Sequence, residues 1–178
     1  MLCFVTVGTT KFEKLIETIL SDECLRNLAD IGIDQLRVQY GAGKLPRSHQ
    51  ESEDGFVAYT SNGIEVECYR YKPSLVEDME AADLIIGHAG AGTCIEALRL
   101  KKPFIVVIND LLMDNHQLEL AEKLGKMETL LYTNCSGLSA TLTDPKLFKL
   151  TPYPPGNPKA ITDFIKGRLG LMKLNTIK

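Results

Sequence analysis

The sequence predicts an α/β fold, a mostly parallel sheet with helices on both faces. Three observations predict it. Short apolar runs alternate with helical stripes through most of the chain, the pattern of strand–crossover–strand units with right-handed connections. One run, Pro103-Phe104-Ile105-Val106-Val107-Ile108, is almost wholly apolar, as a strand covered on both faces requires. Two further runs end in small-residue turns that open helices, Gly8-Thr9-Thr10 and residues 87–93. In open parallel sheets ligands bind at such turns, beyond the carboxyl ends of the strands near the topological switch point.

The elements follow in order. Residues 2–7 are a short β-branched apolar run ending at Gly8, hence a buried strand. Phe12, Leu15, Ile16, Ile19 and Leu20 form a helical stripe over residues 11–20. Residues 36–40 read as a strand, and the polar, glycine-containing residues 41–55 as a loop. Residues 56–59 and 64–69 flank Ser61-Asn62-Gly63, and Asn-Gly is a strong hairpin signal. The insert at residues 41–63 is expected to be a surface excursion. A short helix is expected over residues 73–82, with Pro73 in its first turn, Leu75, Val76 and Met79 inward, and Glu77, Asp78 and Glu80 on a solvated face. Strands at residues 83–87 and 103–108, helices at 93–100 and 114–124, and a last strand at 128–132 complete the pattern. The Pro152-Tyr153-Pro154-Pro155 link then separates one domain, residues 1–156, from a terminal helix and tail, residues 157–178. Ile161, Phe164, Ile165, Leu169 and Met172 lie on roughly one stripe of that helix, suited equally to its own domain or to a partner.

The chain has 178 residues, 44% of them hydrophobic and 24% charged, ordinary for a globular domain. A net charge of −3 supplies no basic field for nucleic acid or anionic lipid. The five cysteines, Cys3, Cys24, Cys68, Cys94 and Cys135, have no metal-type spacing and read as reduced thiols. No stretch approaches the roughly 18 apolar residues of a spanning helix.

The strongest chemical feature is Gly87-His88-Ala89-Gly90-Ala91-Gly92-Thr93, followed by Glu96. Glycines allow backbone to approach a diphosphate, and free N–H groups at a helix start favour negative charge. Thr93 adds a hydroxyl donor, and Glu96 stands where it can accept bonds from ribose hydroxyls. A dinucleotide fingerprint fails here, since its third glycine would fall at Ile95. A P-loop lysine context is also missing, so NAD and P-loop chemistries are disfavoured. The second cluster is Asn115-His116-Gln117, with Asp114 as N-cap. Its amides and imidazole suit a nucleoside or sugar hydroxyls, and it lies on the same sheet edge. His88 and His116 stand in these two turns, whereas His49 stands in the polar loop. Cys94 reads as a small packed residue at a helix start, a place where a thiol pKa can fall.

Four segments together carry a family resemblance: Val5-Thr6-Val7-Gly8-Thr9-Thr10-Lys11-Phe12, Tyr69-Arg70-Tyr71, residues 82–92, and Met113 through Ala121. They resemble the cytosolic catalytic subunits of the UDP-N-acetylglucosamine transferase that adds the second sugar to the dolichol-linked oligosaccharide. The resemblance runs from about residue 2 to Gly156. That family is similar to the C-terminal, donor-binding half of GT-B glycosyltransferases, a Rossmann-like domain. The resemblance implies a split enzyme: this chain binds UDP-GlcNAc, and a membrane-anchored subunit completes a heterodimer and supplies the acceptor half. It implies a cytoplasmic protein recruited to the cytosolic face of the endoplasmic reticulum, and inverting transfer to dolichyl-diphosphate-GlcNAc with a β-1,4 linkage, without a cofactor or metal. By the same resemblance Gly8, Thr9 and Thr10 form a second phosphate-facing turn. Tyr71 and Lys72 lie beside uracil, Glu96 bonds the ribose, and His116 and Gln117 face the donor sugar. With Asn115 and residues His88, Ala89, Gly90, Ala91, Gly92 and Thr93, these make the expected donor site. His88 and His116 are local candidates for the base, with the partner as the other source. The alternative is a non-catalytic nucleotide-sugar sensor or scaffold using the same pocket.

Overall fold

A computed structural model describes residues 1–46, 55–110 and 115–156. Among them seven strands form one sheet in the order β3-β4-β2-β1-β5-β6-β7. The strands are β1 (Leu2–Thr6), β2 (Gln35–Gln39), β3 (Val57–Ser61), β4 (Ile64–Tyr69), β5 (Leu84–His88), β6 (Phe104–Ile108) and β7 (Leu131–Asn134). Every pairing is parallel except β3 with β4. The helices are α1 (Glu13–Ile19), α2 (Asp22–Asp30), α3 (Val76–Ala81), α4 (Ala91–Arg99), α5 (Asn115–Lys126) and α6 (Leu138–Leu142). The expected mostly parallel α/β sheet is therefore present.

The sheet separates two apolar layers. Val5, Val38, Ile86 and Val107 face Leu15 and Ile19 of α1, Leu25 and Leu28 of α2, and Leu138 and Leu142 of α6. Phe4, Ile85, Phe104 and Val106 face Met79 of α3, Cys94 and Leu98 of α4, and Ala121 and Leu124 of α5. Such two-sided burial is what the apolar strands required. The chain winds from β1 outward to β2 and β4, then crosses back to place β5 on the other side of β1. The switch point lies between β1 and β5, and both strands end there in the two small-residue turns.

Several local expectations shift, each for a physical reason. The hairpin forms as its Asn-Gly pair dictates, with φ of +50° at Asn62 and +79° at Gly63 and Ser61 opposite Ile64. Residues 22–30, which carry no element in the sequence pattern above, form α2, capped by Ser21, whose Oγ accepts from the Cys24 N–H at 3.3 Å. The helix expected at residues 73–82 is only Val76–Ala81, so Pro73 lies outside it. Val76 is exposed rather than inward. Asp78 is corrected outright: it is 3% exposed, not part of a solvated face. The last strand begins at Leu131 rather than near 128 because α5 first closes in a Schellman cap. Glu128 takes φ +56°, its N–H donates to Gly125 O at 2.9 Å, and Thr129 N–H donates to Leu124 O at 3.3 Å. The terminal helix expected after residue 156 and His49 lie outside the described residues.

Candidate functional site

The parallel strands bring the carboxyl ends of β1, β2, β4, β5, β6 and β7 to one edge. At the switch point the β1 turn is built on Gly8, whose φ is +60°. Its N–H donates to Thr6 Oγ1 at 3.1 Å. Thr10 closes the turn, with its N–H and hydroxyl both donating to the Val7 carbonyl at 3.2 and 2.8 Å. Thr9 and Thr10 are exposed.

The second turn leaves β5 at His88. Ala89 is buried, Gly90 is the N-cap of α4 with no side-chain cap, and the first closing bond runs from Cys94 N–H to Gly90 O at 3.0 Å. Helix geometry therefore leaves the N–H groups of Ala91, Gly92 and Thr93 without intrahelical acceptors. A nine-residue helix adds its positive end at the same place.

His88 holds the two turns together. A Cβ added to Gly8 would lie 3.1 Å from His88 Cε1, and one added to Gly90 would lie 2.4 Å from Nε2. The imidazole is thus wedged between the two glycines. Its Nδ1 is shut from solvent and meets no hydrogen-bond partner among the described residues. Burial pushes its pKa below the ordinary histidine value, and the neighbouring Thr6 carbonyl opposes this only in part, so the ring is neutral near pH 7.

Other expected residues fall into place unequally. Glu96 is exposed on α4, within two turns of Gly90. Tyr71 is 52% exposed just past β4. Lys72 is committed: its Nζ lies 2.9 Å from both Asp78 carboxylate oxygens and 4.4 Å from the Tyr69 ring centroid. Asn115, His116 and Gln117 open α5 after β6, on the same edge, but their side chains, and Asp114, lie outside the described residues. Cys94 is a small packed residue, 1% exposed, and desolvation pushes its thiol up to about 11, so the helix start does not lower it. A groove of about 640 Å³ between α4 and α5, lined in part by Ile95, Leu120 and Pro154, flanks α4 rather than the crevice between the turns.

Sequence reasoning missed two buried polar groups. Asp78 receives Arg37 Nη1 at 2.8 Å, Lys72, and the Tyr69 hydroxyl. Burial alone would raise its carboxyl, but the bonds from Tyr69, Lys72 and Arg37 hold it below the ordinary carboxylate value. This cluster ties α3 to β2, β4 and the Tyr71–Lys72 segment. The second is Gln39, at the end of β2, bonded to Thr6. No local signal marked Gln39, since β2 already carries Gln35 and Arg37.

Comparison with known proteins agrees with this geometry. The glycosyltransferase family 28 C-terminal domain matches residues 2–166. A UDP-N-acetylglucosamine transferase subunit ALG13 of Mus musculus is 42% identical over 76% of this chain, which spans 11% of that protein. The Yarrowia lipolytica protein of the same name is 40% identical over 74% of this chain and 64% of its own length. The chain thus spans a small part of the mouse relative and just under two thirds of this fungal one. The Saccharomyces cerevisiae protein of that name is 34% identical, over 85% of this chain and 87% of its own length. An NMR solution structure of ALG13 superposes with a TM-score of 0.66 at 27% identity, covering 92% of this chain and 93% of that one. The MurG structure of Acinetobacter baumannii, with a TM-score of 0.58 at 16% identity over 94% of this chain and 42% of that one, shares the fold. The chain belongs to the glycosyltransferase family 28 C-terminal domain family, within its group of UDP-N-acetylglucosamine transferase subunits.

Proposed function

We propose that this chain is the donor-binding catalytic subunit of a split transferase that moves GlcNAc from UDP-GlcNAc to dolichyl-diphosphate-GlcNAc. A membrane-anchored partner supplies the acceptor half at the cytosolic face of the endoplasmic reticulum. The observation that carries this reading is the meeting of the Gly8 and Gly90 turns across His88 at the switch point, where α4 opens with three N–H groups that have no intrahelical acceptor. The acceptor hydroxyl oxygen attacks the anomeric carbon, the bond from that carbon to the diphosphate oxygen breaks, and the configuration inverts to a β-1,4 linkage. UDP leaves with the bonding electron pair, and a base takes the hydroxyl proton. The N–H groups of Ala91, Gly92 and Thr93 face the charge that develops on the diphosphate, so no metal is needed for that step. Glu96 bonds the ribose, Tyr71 and Lys72 border the uracil, and Asn115, His116 and Gln117 receive the sugar. His88 is better suited to holding the turns than to taking the proton, because burial disfavours its charged ring and its Nε2 lies against Gly90. The base then comes from His116 or from the partner.

The test is transfer of radiolabelled GlcNAc to a dolichyl-diphosphate-GlcNAc acceptor with the membrane subunit present, alongside titration of the chain with UDP-GlcNAc, UDP-glucose and NAD. Transfer with a preference for UDP-GlcNAc is expected. Binding without transfer would make the chain a nucleotide-sugar sensor, and NAD binding without UDP binding would overturn the donor reading.

A further inference from the structure

Gln39 offers no atom to a ligand, yet the two halves of the binding edge meet at it. It closes β2 in register between Thr6 of β1 and Tyr69 of β4, and it is 1% exposed. Its Oε1 accepts from Thr6 Oγ1 at 2.6 Å. Its Nε2 donates to the carbonyls of Gly8 and Arg70, both at 2.8 Å. Thr6 Oγ1 in turn accepts from the Gly8 N–H. One amide therefore grips the residue that opens the β1 turn and the carbonyl immediately before Tyr71. A primary amide supplies this pattern of two N–H donors and one acceptor; a carboxylate has no donor to give and an aliphatic side chain has neither. Buried bonds of this kind hold their partners in place, because a carbonyl left unpaired there pays its full desolvation cost.

We infer that Gln39, supported by Thr6, is a positioning residue that couples the Gly8–Thr10 turn to the Tyr71–Lys72 segment. It sets the spacing at which the diphosphate and base ends of a nucleoside-diphosphate donor are received. The inference rests on the donor reading above.

The test uses the full chain with three substitutions, Gln39→Leu, Thr6→Val and Thr6→Ser. UDP is titrated by calorimetry, and amide exchange is followed at residues 8–10 and 70–72. Gln39→Leu is expected to weaken UDP binding about tenfold or more and to speed exchange in both segments. Thr6→Val keeps the shape but loses the hydroxyl, and is expected to weaken binding roughly threefold. Thr6→Ser keeps the hydroxyl while deleting a buried methyl, so its Tm falls but UDP binds within about twofold of wild type. If Gln39→Leu does not fold, the Thr6 pair decides. Affinity that merely tracks Tm, with Thr6→Ser and Thr6→Val falling together, overturns the positioning role. A wild-type chain that binds no UDP sinks the donor reading instead. Exchange then judges the coupling: faster exchange in both segments of Thr6→Val supports it, and unchanged exchange overturns it.

Discussion

Gly90→Ala adds one methyl group at the most crowded point of the candidate site. The backbone there tolerates a side chain, since φ is −75° and ψ 126°, so any effect comes from contact alone. The new Cβ would stand 2.4 Å from His88 Nε2 and 2.8 Å from Cε1. The ring has little room to retreat, because its Cε1 already lies against Gly8. Overpacking of this kind costs about 1–3 kcal/mol. For a chain of this size about 2 kcal/mol lowers Tm by roughly 4–8 °C. Displacing the ring also moves the Gly8 turn, so UDP affinity is expected to fall with Tm. Gly92→Ala is the control on the same helix turn. A Cβ there meets nothing within 4 Å, and replacing a helical glycine stabilises by up to about 0.5–1 kcal/mol. If the ligand approaches the Gly92 backbone closely, that variant melts higher yet binds UDP more weakly. Thermal melts by circular dichroism and UDP calorimetry measure both quantities. In the pair His88→Ala/Gly90→Ala the clash is gone, so the Tm penalties of the single changes should not add. A Gly90→Ala protein that melts within about a degree of wild type and binds UDP normally would refute the wedge.

Further outcomes follow from the same site. Gly90→Val or Glu96→Ala is expected to abolish GlcNAc transfer in the presence of the partner, and wild-type activity from both would remove these residues from the donor site. Asp78→Ala takes the carboxylate from Lys72, 43% exposed, and leaves Arg37, 26% exposed, with Glu67 alone. The loss should be about 2 kcal/mol in urea unfolding, below the 3–5 of a fully buried pair because both cations reach water. The His88 pKa is lowered in the fold, so the unfolded chain binds more protons. Its stabilising contribution is therefore complete above about pH 6.5 and is lost as pH falls toward the folded value, with a slope of at most about 1.4 kcal/mol per pH unit. Unfolding of His88→Gln followed from pH 5 to 7 should show a shallower slope than wild type. Under the proposal that backbone N–H groups stabilise the leaving diphosphate, excess chelator should leave transfer unchanged, and loss of transfer reversed by a divalent cation would contradict that assignment.

Much of this protein was legible locally. The apolar run at residues 103–108 announced a strand covered on both faces, and Asn62-Gly63 announced its hairpin, because such patterns follow from backbone geometry and burial within a few residues. The glycine turn at residues 87–93 was legible as a strand-to-helix turn, because its small residues separate an apolar run from a helical stripe. Other features depend on partners far away in sequence. Asp78 reads as one of three acidic residues on a short helix until Arg37 arrives from β2, 41 positions distant. Cys94 reads as a small packed residue, and it is the packing of α4 on the sheet, leaving this residue 1% exposed, that outweighs the helix start and keeps the thiol protonated. Gln39 and Thr6, 33 positions apart, are unremarkable in sequence and become one bonded unit only when β1 and β2 lie side by side. The sequence by itself determined the fold class and the two turns, since those rest on local backbone and side-chain preference. Only the tertiary structure decided that His88 joins the turns and which polar groups are buried, because sheet order sets both proximity and desolvation.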